Sequence, residues 1–372
     1  MTGITVKSVE AAIASQPASG SLTDMPQLYG KEARPTIGWD IGGIHLKAAF
    51  VQEGRLGEVV QVPCLLWRGL DALDEAFAAL PDWVRGEASH AVTMTGELCD
   101  YFSGREKGVS ELVGWAGRTL RGDLRIYGGR SGFLPPEAAT AAAADIASAN
   151  WHATARLVGR HRPEAFVVDV GSTTADLIPV ADGMPRAFGY SDVERLETGE
   201  LIYTGAVRTP LMALARQVPF RGRFISIMAE YFATTADVYR LIDALPPDAD
   251  QQESADGRGK SLPETETRLA RMVGCDRSDA TAQEWRRLAT YFAETQLRLL
   301  HDAAAQVLSR GELPDDAPVV GCGVGRFIAV HLARRLAREF IDLENLVAPG
   351  ADQAWVSSCA PAVAVALIAA GE

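Results

Sequence analysis

Two stretches of the chain carry residue types suited to phosphate chemistry. The first is Gly38-Trp39-Asp40-Ile41-Gly42-Gly43-Ile44-His45-Leu46-Lys47, and the second is Val167-Val168-Asp169-Val170-Gly171-Ser172-Thr173-Thr174-Ala175-Asp176. In each, an apolar strand ends in Asp-(Ile/Val)-Gly, a small or polar turn follows, and a second apolar strand departs. Such a turn points several backbone N–H groups the same way, and glycine lets the chain approach an anion with no Cβ in between. Gly42, Gly43, Gly171, Ser172, Thr173 and Thr174 are therefore candidates for phosphate binding. Asp40 and Asp169, at the strand ends, can hold a hydrated Mg²⁺ that bridges to phosphate oxygens. The copies differ at one later position. Lys47 can reach a phosphate as a point charge, whereas Asp176 can complete a metal shell or accept a proton. Two such hairpins facing a cleft would clamp a diphosphate or triphosphate; two plain structural hairpins are the alternative.

A third element is Gly321-Cys322-Gly323-Val324-Gly325, between an apolar strand and a helical pattern. It can lie against a nucleotide or offer a helix N-terminus to an anion. It is not the GxGxxG fingerprint, because Gly325 comes one residue early. Thr95, Gly96 and Glu97 end another apolar strand, where open α/β sheets place ligands. Glu200, Tyr203, Thr204, Arg208 and Thr209 form a dense polar cluster, in which Arg208 can pair with a phosphate or a carboxylate; a solvated salt link is the competing reading. His45 reads as a turn-filling residue, and Cys99 and Cys322 as small apolar packing.

Around these motifs the pattern is α/β. Strands are predicted at 36–40, 47–52, 58–64, 90–95, 125–127, 165–170, 175–180, 317–320 and 345–347. Helices are predicted at 69–80, 109–120, 136–160, 210–216, 234–245, 282–311, 327–339 and 360–370. Residues 1–34 read as a poorly ordered extension. Residues 35–160 and 161–372 read as two domains, the second with a loop insertion at 246–263 that is either a lid or a passive insertion.

Composition narrows the function classes. Lys and Arg number 36 against 48 Asp and Glu, giving a formal charge of −12. This gives no global basic footprint for nucleic acid or an anionic membrane. Five scattered cysteines without a CxxC pair argue against a disulfide framework and point to a reducing compartment. No membrane span or signal peptide is predicted, so the expected location is the cytoplasm.

The three turns, in this order and spacing, resemble the superfamily of actin, sugar kinases and heat-shock ATPases. That resemblance covers residues 36–370 and implies two ribonuclease-H-like domains flanking a phosphate-binding cleft. The stretch Asp169–Asp176 resembles the hydantoinase/oxoprolinase branch. Thr93–Asp100 and Arg195–Pro210 resemble one subgroup of that branch, linked to tetrahydromethanopterin-dependent C1 transfer, whose archaeal members are methanofuran-biosynthesis synthases. This implies a transferase that joins a tyramine-type phenol oxygen to (aminomethyl)furan-methyl diphosphate and releases diphosphate. Asp40, Gly42, Gly43 and Lys47 would then hold the diphosphate from one side, and Asp169, Gly171, Ser172, Thr173 and Thr174 from the other. Mg²⁺ would bind through Asp40 or Asp169, and Asp176 would be the base. Thr95, Glu97, Glu200, Tyr203 and Arg208 would contact substrate, and Gly321, Gly323 and Gly325 would form a nucleotide-like turn. The expected partners are small molecules, with the choice of monomer or homo-oligomer open and any role of ATP open. An ATP-dependent kinase, a hydantoinase/oxoprolinase-type hydrolase component and a non-catalytic nucleotide-binding module remain alternatives, because this fold hosts many chemistries.

Overall fold

The computed structural model describes residues 34–348 and 355–372. The predicted N-terminal extension, apart from Arg34, lies outside the described residues. Two compact units emerge, one of residues 32–203 with 300–372 and one built on residues 204–299. The division expected near residue 160 instead separates two sheets that belong to the same larger unit.

The first sheet of the larger unit has the order β3-β2-β1-β4-β5-β6, with β1 Thr36–Ile41, β2 His45–Gln52, β3 Arg55–Pro63, β4 Ala88–Met94, β5 Gly122–Tyr127 and β6 Phe133–Leu134. β1 runs antiparallel to β2 and parallel to β4. The second sheet has the order β10-β8-β7-β13-β14, with β9 beside β8. Its strands are β7 Ala165–Val170, β8 Ala175–Ala181, β9 Met184–Pro185, β10 Leu201–Ile202, β13 Val319–Cys322 and β14 Phe340–Asp342. β7 again pairs antiparallel with the next strand and parallel with β13. Both sheets therefore start from the same hairpin-plus-parallel-strand plan.

Two helices lie between them. Ala360–Ala370 is apolar on all sides, as expected of a helix with no solvent face. It covers β1, β2 and β4 on one side and meets the helix Asn150–His161 on the other. The helix Asn150–His161 sends Trp151, Ala155 and Val158 into the core of the second sheet. Gly38 lets the C-terminal helix approach β1, because a side chain there would run into the Ala362 carbonyl and Ala366. The far face of the first sheet is closed by Trp39, Ile41, Met94, Leu112 and Trp115.

The smaller unit holds the hairpin β11 Gln217–Phe220 and β12 Arg223–Ser226, the helices Thr235–Leu241 and Leu262–Met272, and most of Ala282–Leu308. Phe220 stacks on the fully buried Trp285. The sequence pattern did not reveal this hairpin, whose turn residues Arg221 and Gly222 both have positive φ.

Several element expectations need correction. The single helix expected over 136–160 is broken into a 3₁₀ turn Pro136–Ala138, a short helix Ala143–Ile146 and the helix Asn150–His161. Ser148 breaks it by adopting φ 53°, a left-handed conformation that a helix interior excludes. The helix expected over 210–216 is a single 3₁₀ turn, Leu211–Ala213. The strand expected at 345–347 falls earlier, at Phe340–Asp342, because Asp342 caps the helix Leu343–Val347 by accepting from the Glu344 N–H at 3.2 Å. The loop 246–263 is tied down. Arg268, fully buried, pairs with Asp237 at 2.7 Å and Asp256 at 3.2 Å and donates to the Gly259 carbonyl. Arg240 and Lys260 both hold Asp250.

Candidate functional site

The first hairpin places Asp40 and Lys47 directly opposite each other in the β1–β2 register. Strand alternation turns Trp39 and Ile41 into the core and Asp40 to the other face. Asp40 is buried and its Oδ2 accepts from Lys47 Nζ at 3.0 Å. Burial alone would lower the Lys47 pKa, but the Asp40 carboxylate outweighs it, so the ammonium is held above its ordinary value. The turn closes where the Gly42 N–H donates to the His45 carbonyl at 3.0 Å. A side chain on Gly43 would meet only open space, so this turn has a free face.

The second hairpin repeats the device. The Gly171 N–H donates to the Thr174 carbonyl at 2.9 Å, and Asp169 faces Asp176 in the register. Here both opposed residues are acids, and the compensating cation comes from elsewhere. Arg195, on the helix Asp192–Thr198, reaches Asp176 Oδ1 at 2.7 Å and packs over the Trp151 ring at 4.2 Å. Burial nonetheless leaves the Asp176 carboxyl above its usual range.

Asp169 is less well compensated. Burial and the nearby Asp176 push its carboxyl up to about 7, against the pull of Lys47 and of the Cys322 thiol, which donates to it. Asp40 also raises it, so charges on the first hairpin, Asp40 and Lys47, act electrostatically on Asp169 of the second. The Gly321–Gly325 turn braces Asp169. Gly323 has φ 81°, and a Cβ there would collide with the Val170 carbonyl and Asp169 Oδ1. The Gly325 N–H donates to the Val170 carbonyl at 2.7 Å, and a side chain on Gly321 would enter the Phe340 ring.

The remaining expected site residues scatter. Ser172, Thr173 and Thr174 sit half-buried in the second turn. Thr95 and Glu97 follow β4, whose Thr93 lies beside Asp40 in register. Glu97 is fully buried and its carboxyl is pushed up to about 7 by burial. Glu200 is a structural clamp: its oxygens accept from the Phe188 and Gly189 N–H groups at 2.7 and 3.0 Å and from Arg310. Tyr203 is exposed. Arg208 belongs to the smaller unit, where its charge acts on the Tyr231 phenol. There Thr204 and Thr209 bond to each other, and Gln296 donates to Thr204.

Three partners of the site residues were not evident from the sequence: Arg195, Ser148 and Arg310. Arg195 stands at the head of a stretch quoted for its resemblance, but nothing in its spacing ties it to Asp176. Among the described residues no group of three or more His, Cys, Asp or Glu side chains is placed to hold a metal. Asp40 Oδ1 is buried without a hydrogen-bond partner among the described residues. That unpaired oxygen fits a cation such as Mg²⁺, which takes one or two carboxylates and finds its other ligands in water and phosphate. No described helix is long and apolar enough to cross a membrane.

Two sheets built on the same hairpin plan, each carrying an Asp-Gly turn, form an α/β fold of the actin/hexokinase type. A nucleotide-free acetone carboxylase structure shares this fold at TM-score 0.55, with 11% identity over 90% of this chain and 70% of that one. The chain belongs to the hydantoinase/oxoprolinase family, whose profile matches residues 88–370. It is similar to the (4-{4-[2-(gamma-L-glutamylamino)ethyl]phenoxymethyl}furan-2-yl)methanamine synthase of Methanocaldococcus jannaschii, at 29% identity over 288 residues, 77% of this chain and 86% of that protein. The synthase of the same name from Methanococcus vannielii matches at 29% over 163 residues, 44% of this chain and 72% of that protein.

Proposed function

We propose that the protein is a transferase that joins the oxygen of a tyramine-type phenol to (aminomethyl)furan-methyl diphosphate, releasing diphosphate in the biosynthesis of a methanofuran-type cofactor for tetrahydromethanopterin-linked C1 metabolism. The observation that carries this reading is the pair of matching Asp-Gly turns, whose charged residues Asp40, Lys47 and Asp169 act on one another electrostatically. The names of the similar archaeal synthases support the product.

The residues divide the work by their surroundings. The backbone N–H groups of the two turns, the Ser172, Thr173 and Thr174 hydroxyls and the Lys47 ammonium bind the diphosphate. Lys47 keeps its charge because Asp40 holds it, and that charge neutralises the leaving group as the furfuryl C–O bond breaks and its electron pair moves to diphosphate. Asp40, with its unpaired oxygen, is the residue that would hold Mg²⁺, which would supply further charge neutralisation on diphosphate. The phenol attacks the furfuryl carbon, forming the ether C–O bond and losing its proton. Asp169 is better placed to take that proton than Asp176, because Arg195 occupies Asp176 whereas the Asp169 carboxyl is poised near neutrality. This transfers the base role from the residue that the motif alone suggested.

The test is incubation of purified protein and Mg²⁺ with the furan diphosphate and tyramine or γ-glutamyltyramine. Mass spectrometry reads the ether and a coupled assay reads diphosphate. Ether formation without ATP, abolished in Asp40→Asn and Asp169→Asn, is the expected result. ATP consumption with a small-molecule extract and no ether with either phenol would select the kinase alternative.

A further inference from the structure

The end of β4 carries a second set of buried polar groups that the reaction above does not use. Glu97 lies in the 3₁₀ turn Gly96–Leu98 and is fully buried. Its Oε1 accepts from the Ser148 hydroxyl at 2.9 Å. Its Oε2 is buried and has no hydrogen-bond partner among the described residues. The Thr93 hydroxyl, four residues earlier and also fully buried, is in the same condition. The neighbouring cation does not answer this need, because Arg105 is committed to Asp192 at 2.5 Å.

The protein goes to some length to fix this carboxylate. Gly108, on the helix Arg105–Thr119, packs so closely that a Cβ would strike the Glu97 carbonyl and Cα. Gly96 packs on Leu66 and lies 3.1 Å, measured from its would-be Cβ, from the Ile41 carbonyl at the mouth of the first phosphate turn. Ser148 adopts its left-handed backbone with its hydroxyl directed at Glu97. A carboxyl held rigidly, buried, and with one oxygen unpaired is matched by a ligand that brings both positive charge and N–H donors.

We infer that Glu97 Oε2 receives a primary ammonium group of the substrate, with the Thr93 hydroxyl as a second acceptor. Resting on the transferase reading, the ammonium is that of the furan donor. Its diphosphate would occupy the turn on which Gly96 packs, so its aminomethyl arm falls on the β4 side. Glu97 thus selects aminated furans over neutral ones.

The experiment compares (aminomethyl)furan-methyl diphosphate with the analogue bearing methyl in place of aminomethyl. Wild-type protein is expected to prefer the amine. In Glu97→Gln, kcat/KM for the amine should fall about 30-fold or more, chiefly through KM, while the methyl analogue changes less than about threefold. Thr93→Val, which keeps shape and removes the hydroxyl, should shift the preference the same way by a smaller factor and serves if Glu97→Gln does not fold. An equal loss on both donors in both variants, or no loss on either, overturns the inference and leaves the transferase reading intact. No ether from wild-type protein with either donor overturns both.

Discussion

Arg195 lies 2.7 Å from Asp176 and supplies from a helix the positive charge that Lys47 supplies to Asp40 from the facing strand. The duplicated hairpins are thus alike in geometry and unlike in wiring. The Lys47 side chain keeps 20% exposure, whereas Arg195 is 2% exposed and sealed under Trp151. Removing one partner of a sealed pair strands the other charge. Arg195→Ala should therefore lower stability by about 3–5 kcal/mol in denaturant titration. Adding Asp176→Asn should recover a large part of that loss, giving a positive coupling in the double-mutant cycle. A stability loss in Arg195→Ala that Asp176→Asn leaves unchanged would show that the arginine acts by packing alone.

The position of Asp169 near neutrality makes two pH dependences. As the proposed base it must be ionised, so the proposed ether formation should rise with pH through about 7. Cys322→Ala removes the thiol that favours the ionised form and should move that limb to higher pH by about half to one pH unit. Stability has the opposite slope. The folded carboxyl sits above its ordinary value of 3.8, so between about 4 and 7 the folded state holds a proton that the unfolded state has released. Stability due to this group is full below 4, falls as pH rises and is lost above 7, with a slope of up to about 1.4 kcal/mol per pH unit. Asp169→Asn should flatten this part of the stability–pH curve; Glu97 contributes in the same direction.

Gly323 is where the turn after β13 meets Asp169. With φ 81° and no room for a Cβ, Gly323→Ala should cost at least about 2 kcal/mol of stability. It should also displace the Asp169 carboxylate and reduce kcat by more than about tenfold. Gly43→Ala, at a position that opens to space, is the contrast and should leave stability within about 1 kcal/mol.

The segment 246–263 should resist limited proteolysis in wild-type protein, because Arg268, Arg240 and Lys260 hold it at Asp250, Asp256 and Gly259. Arg268→Ala should open it to cleavage near residues 250–258 and speed its amide exchange. Equal cleavage in both proteins would mean that these ion pairs do not order the segment.

The hairpin pair was legible in the sequence because its signal is local: strand, Asp-Gly turn and strand follow one another within a short stretch of chain. Asp40 opposite Lys47 follows from β-register alone. Arg195 was not legible as the partner of Asp176, since the contact depends on how a helix is laid over β8 and β10. Ser148 was hidden in an alanine-rich run whose composition favours helix; its left-handed backbone and its bond to Glu97 have no local signal there. Glu200 was conspicuous as an acid in a polar cluster, yet polarity says nothing of burial. Its oxygens are occupied by Arg310 and two backbone N–H groups.

The helix Ala360–Ala370 has a consequence for the order in which the chain can assemble. It forms the near face of β1 and β2, the first described strands to be made, and it is the element that packs on Gly38. During synthesis the first sheet must therefore wait, one face bare, until residue 370 clears the ribosome. Its hairpins can form early, but the face of β1 that the helix covers stays exposed until then. A nascent chain arrested before residue 355 should hence engage holdase chaperones and remain protease-sensitive throughout residues 36–63, whatever the intrinsic stability of the finished protein.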